Sequence, residues 1–162
     1  MGELPLSAPT LGYLRSVIAI AIGLALGGAL NLFLLQGSAA LLATPTYPDL
    51  LELRHYVAHF LAHALSTFVG ALAAYLIGAR FRTYIAYAIG LIFMFTGFVI
   101  GSASGLPTGF VMLKLFGAYL PMCWLAIRAG QRLEQSWHPT ATPAEEFTRS
   151  LALDPRKSSL HR

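Results

Sequence analysis

Four long apolar runs, parted by short stretches rich in proline and charge, pattern this chain of 162 residues. The first, SVIAIAIGLALGGALNLFLL from Ser16 to Leu35, carries no charge over 20 residues, enough as a helix to cross about 30 Å of hydrocarbon at about 1.5 Å per residue. With the three runs that follow, it predicts spans at about 16–37, 55–79, 84–102 and 108–129. Residues 1–13, with Pro5 and Pro9, read as a short arm. Arg15 before the run and Ser38-x-Ala40 after it also fit a cleaved signal peptide. The run is longer than a usual signal core, which favours a retained span. The stretch TPTYPDLLELR reads as an external loop, and the polar end of the chain holds a helix-start pattern at Thr142-Pro-Ala-Glu145.

The second run shows which way the helices face. At about 100° per residue, a stripe about 120° wide collects Glu52, His55, His59, His63, Ser66, Thr67, Gly70, Ala73 and Ala74. Val57, Phe60, Leu61, Leu65, Phe68, Leu72, Tyr75 and Leu76 take the other side. A soluble helix has the opposite arrangement. Bulky apolar side chains suit lipid and a small, polar stripe suits other helices, so a membrane helix with a polar inner face is expected.

Similar stripes recur in the other runs. Ser16, Gly23, Gly27, Asn31 and Ser38 share a face of the first span, and Ala86, Gly90, Gly97 and Gly101 share a face of the third. In the fourth, Lys114, Gly117, Ala118, Pro121, Leu125, Arg128 and Arg132 fall on one side. Pro121 has no N–H to offer the Gly117 carbonyl, so a kink or a local polar site is expected there. Helix packing is assigned to Gly23, Gly27, Ser66, Gly70, Ala74, Gly90, Gly97, Gly101, Gly117 and Pro121. The expected fold is all-α: an integral membrane four-helix bundle in residues 1–132, then a polar cytoplasmic tail, 133–162, with one short helix.

Composition and charge add an orientation. A chain 56% hydrophobic, 11% charged and of mean hydropathy +0.64 is too apolar for an ordinary soluble domain. Arg15, Arg80, Arg82, Arg128, Arg132, Arg149, Arg156, Lys157 and Arg162 fall on one side of a four-span layout, against Arg54 on the other. The positive-inside rule then puts both termini in the cytoplasm. No segment joins a dense basic patch to exposed aromatics, so nucleic acid is not an expected partner. The expected partners are the lipid bilayer and, through the small-residue faces, a second copy or a larger membrane complex. The single cysteine, Cys123, excludes an intrachain disulfide and reads as a small buried side chain.

This topology gathers Asn31, His55, His59, His63 and Lys114 in the outer half of the membrane as a candidate intramembrane polar site. Histidines one turn apart can share a metal ion, with Glu52 as a further ligand beside His55, His59 and His63. Such a set needs another helix or subunit to complete it. Haem fits less well, because no other span has a histidine and the second ligand would have to be a residue such as Met112 or come from a second copy. The same row could relay protons through water, or simply hydrogen-bond and fix packing. Lys114 reads as snorkelling to the nearby interface. No Ser/His/Asp arrangement, carboxylate pair or phosphate loop is visible, and Ser66 beside His63 reads as a packing residue. No catalytic residue or cofactor is assigned. The expected function is a structural or accessory membrane module, with a small transporter or a proton or metal carrier as the alternative.

The segments ALNLFLL (29–35), LAHALSTFVGALAAYLIGA (61–79) and GLPTGFVMLKLFGAYLPMCWLAIRAG (105–130) resemble a group of small four-span bacterial inner-membrane proteins without an assigned activity. Asn31, His63 and the AYLPM segment at 118–122 carry the resemblance better than His55 and His59 do. The resemblance implies a bacterial origin and the four-span layout, and supplies no substrate, cofactor or catalytic residue.

Overall fold

The computed structural model describes residues 8–43, 52–79, 81–105 and 107–137. Among these, four helices form: α1 (Ala8–Leu42), α2 (Leu53–Ile77), α3 (Arg82–Ala103) and α4 (Thr108–Trp137). All four are long and apolar enough to cross a membrane, the make-up of a multi-pass membrane protein. In α4 the segments Thr108–Lys114 and Leu120–Trp137 are α-helical and Leu115–Tyr119 is a π-helical turn.

Two helices run longer than their apolar cores. The expected arm at 1–13 is helical from Ala8, because Pro9 falls in the first turn, where its missing N–H goes unused. The 35 residues of α1 span about 52 Å, well beyond a hydrocarbon core. α4 continues past the expected boundary at residue 132 to Trp137. The chain divides into two units, Met1–Gly130 and Gln131–Arg162. Of the second, the described residues are the helical end of α4, where Ser136 Oγ donates to the Leu133 carbonyl at 2.7 Å. The helix expected from Thr142 and residues 44–51 of the external loop lie outside the described residues.

Within the first unit α2 touches every other helix. α1 runs antiparallel to it, and a Cβ built on Gly23 would lie 2.7 Å from the Gly70 carbonyl and 2.8 Å from Ala74 Cβ. One turn along, a Cβ on Gly27 would lie 2.8 Å from the Ser66 carbonyl. Lipid supplies no hydrophobic drive for two helices to associate, so contact this close, backbone on backbone, provides the attraction. Arg15 Nε closes one end of the pair by donating to the Ile77 carbonyl at 2.6 Å, a carbonyl in the last turn of α2 with no partner in its own helix.

α3 and α4 pack antiparallel by a different device, side chains seated on glycines. A Cβ on Gly90 would collide with Cys123 Sγ, and one on Gly97 with Tyr119 Oη. Gly101 faces Val111 and the Lys114 ammonium. α4 runs parallel to α2, with Tyr56 against Phe110 (ring centroids 4.8 Å), Phe60 against Gly117 and Tyr75 against Gly130. Ala71, Ala74, Ala86, Ile89, Cys123 and Ala126 form the fully buried core between these helices.

The fourth-span face differs from the expected one. Lys114 and Ala118 are buried, but Pro121, Leu125, Arg128 and Arg132 are exposed, and Cys123, Ala126, Ile127 and Gly130 point inward instead. Pro121 therefore does not pack inside the bundle of this chain. The π turn is the reason: it holds one more residue than an α turn, so every position after it is rotated from where an α wheel puts it. It lies directly ahead of Pro121, where the ring would otherwise crowd the carbonyl four residues back. Tyr75, expected to face lipid, is buried against Gly130.

Candidate functional site

His55, His59 and His63 lie on successive turns of α2, yet their surroundings differ. His55 is 6% exposed and stands at the third position of the helix. Its Nδ1 accepts the Glu52 N–H at 3.0 Å, which leaves the ring proton on Nε2 to be donated to the Leu42 carbonyl at 3.3 Å. Opening N–H groups and closing C=O groups of helices lack partners of their own. One imidazole satisfies one of each, doing for α2 what Glu or Gln does in a capping box and tying down the end of α1. His55 is thus a staple between two helix ends and does not join the polar site.

His63, eight residues on, faces α4. Its Nδ1 is 3.2 Å from Tyr119 Oη, with ring centroids 5.8 Å apart. The His59 ring meets it edge-on, with centroids at 5.1 Å. Lys114 is within electrostatic reach of both imidazoles. It is 1% exposed, and its Nζ lies beside Gly101 in the last turn of α3, where a Cβ would stand 3.6 Å from it. Thr67 and Ser66 donate to the His63 carbonyl at 2.7 and 3.0 Å, which satisfies both buried hydroxyls within their own helix. The Ser66 hydroxyl is therefore turned to the backbone and away from the His63 ring.

Tyr119 was missed in the sequence because, on an α-helix, it stands about 140° from Lys114. In the π turn, bonding runs from i to i+5, and residues five apart come onto one face. A tyrosine just ahead of an intrahelical proline is the signal that points to it.

Asn31 belongs to the α1–α2 seam. Gly23 opposes Gly70 and Gly27 opposes Ser66, so one further turn sets Asn31 opposite Ala62, beside His63 in register. Its Oδ1 is buried with no hydrogen-bond partner, an acceptor in need of a donor.

The metal set Glu52, His55, His59 and His63 does not assemble. Among the described residues no three His, Cys, Asp or Glu side chains are placed to hold a metal ion. Both nitrogens of His55 are engaged, and the Glu52 carboxylate pairs with Arg54 Nε at 3.0 Å. Met112, the candidate second haem ligand, is exposed. The polar site that does assemble is His59, His63, Tyr119 and Lys114, lined among the described residues by proton donors and acceptors and by no carboxylate; no Asp or Glu occurs between Leu53 and Leu133. No family model, curated protein or solved structure matches the chain.

Proposed function

We propose that the protein is a small proton-handling transport protein of the bacterial inner membrane, with four spans, both termini in the cytoplasm, and its chemistry centred on His63. The observation that carries this reading is the His63 Nδ1–Tyr119 Oη contact at 3.2 Å, with His59 one turn away. Imidazole and phenol each donate and accept, so the three groups form a short chain along which a proton can pass. Ionisable groups inside membrane helices are costly to keep and mark ion or proton paths. The nine-to-one distribution of basic residues supports the orientation, and the resemblance of segments 29–35, 61–79 and 105–130 supports the bacterial membrane.

The rival reading is a module that assembles through small-residue faces. It draws on α1, where Gly28 and Gly37 have nothing within 4 Å, whereas Gly23, Gly27, Gly70, Gly90 and Gly97 are already filled by contacts inside the chain.

The test is flux. The purified chain is reconstituted into vesicles with an entrapped pH dye, and a potassium diffusion potential is imposed. Acidification above that of protein-free vesicles is expected, and it should vanish in His63→Gln, which keeps hydrogen bonding without imidazole basicity. Wild-type flux equal to empty vesicles, or undiminished in His63→Gln, would reject the reading. Reporter fusions at each end test the orientation: an external C-terminus contradicts it.

A further inference from the structure

We infer that Lys114 is the anchor of an anion site inside the helix bundle, which takes a monovalent anion alongside the proton; this rests on the transport reading above. The argument begins with the missing counter-charge. Lys114 is 1% exposed, and a buried ammonium is expensive unless something negative lies beside it. Among the described residues nothing of that kind is placed beside it. No Asp or Glu stands between Leu53 and Leu133 or between Leu4 and Pro48, and Glu52, at the start of α2, is held by Arg54 at 3.0 Å.

The polar groups that α2 and α4 bring together on the Lys114 side of the bundle are of the sort that hold an anion. The Tyr119 hydroxyl can turn its proton outward when His63 Nδ1 does not need it, and neutral imidazoles of His59 and His63 each carry an N–H. Gly101 leaves the ammonium facing a bare backbone: a Cβ there would lie 3.6 Å from Nζ and 3.4 Å from Val111. One fixed cation calls for one negative charge. The matching ligand is a halide or a short carboxylate. A lipid phosphodiester has the same charge and the same acceptor oxygens, so the source of the anion is left to the titrations.

The coupling to protons follows from the layout. A bound anion beside His63 and His59 favours the protonated ring, and a protonated ring favours the anion, since linkage between two sites is reciprocal.

The full chain is purified in a neutral detergent and exchanged into sodium gluconate. Sodium chloride, sodium acetate and phosphatidylglycerol micelles are then titrated separately, each at constant ionic strength. Heat release and unfolding temperature report binding. A saturable response to chloride or acetate is expected, absent in Lys114→Met and about tenfold weaker in Tyr119→Phe. Gly101→Ala is the second variant, because its methyl meets neighbours at ordinary contact distance and the chain should fold while the methyl covers the bare backbone that an anion beside the ammonium would approach. It should weaken binding severalfold even if Lys114→Met fails to fold. A saturable response to phosphatidylglycerol alone, lost in the same variants, assigns the anion to a lipid. No saturable response to any of the three, or one that persists in Gly101→Ala and Tyr119→Phe, overturns the inference. Proton flux measured in gluconate is independent of this. If flux persists with its His63 dependence while all three titrations stay flat, the anion site fails and the proton path stands.

Discussion

The two halves of α2 bury the same stripe with opposite chemistry. From Ser66 to Ile77 the stripe is backbone and methyl groups: the Gly70 carbonyl against Gly23, then Ala71 and Ala74 at 0% exposure. From Leu53 to Leu65 it is imidazoles, one tied into a cap and two turned toward Tyr119 and Lys114. The lesson is what each half tolerates. The closed half has no volume to spare, so its sensitivity is to size. The polar half has partners to satisfy, so its sensitivity is to hydrogen-bonding and charge.

The largest effect should come from the closed half. Gly70→Leu puts a side chain where a Cβ would lie 2.7 Å from the Gly23 carbonyl, and backbone there has to move, at a cost of about 3 kcal/mol. Thermal unfolding in detergent should show a lower midpoint and less folded protein. Gly28→Leu, with nothing within 4 Å, should leave the midpoint unchanged. A Gly70→Leu midpoint equal to wild type would mean that the α1–α2 seam is not this close.

Charge comes next. Lys114→Met keeps the apolar stem and removes an ammonium that no carboxylate among the described residues neutralises, so in gluconate buffer it should raise stability by about 1–2 kcal/mol. A loss of stability instead would show that the chain itself already compensates the charge.

A smaller effect belongs to the hydrogen bond across the α2–α4 contact. Tyr119→Phe removes the donor and acceptor beside His63 Nδ1 and should cost about 1 kcal/mol. Combined with His63→Gln, it should cost less than the two changes separately, because both break one interaction. Strict additivity would separate the two residues.

The smallest effect sets His55 apart from the site. His55→Ala loses a cap at the start of α2 and should cost about 1 kcal/mol, while His55→Gln restores the acceptor for the Glu52 N–H and should be close to neutral. Neither should change proton flux, and a His55→Gln that abolished flux would return this ring to the conducting chain.

Local quantities made much of this molecule legible from its residues alone. Apolar length and the spacing of charge and proline are enough to find four spans, because a backbone inside hydrocarbon must satisfy itself and a helix does so over about 20 residues. The stripe on α2 and the glycine face of α3 follow from a period that a regular helix keeps. Tertiary structure decided what breaks that period or ends it. The π turn at Leu115–Tyr119 rotates the later part of α4, exposing Pro121 and bringing Tyr119 onto the face of Lys114, and a wheel with a constant angle has no place for the extra residue. Tyr75 is buried because Gly130 lies across from it, and Lys114 has its ammonium beside Gly101 of another helix. His55 shares its stripe with His63 but spends both nitrogens on helix ends. A side chain's period along a helix is local, whereas its partners come from whichever helix packs against that turn.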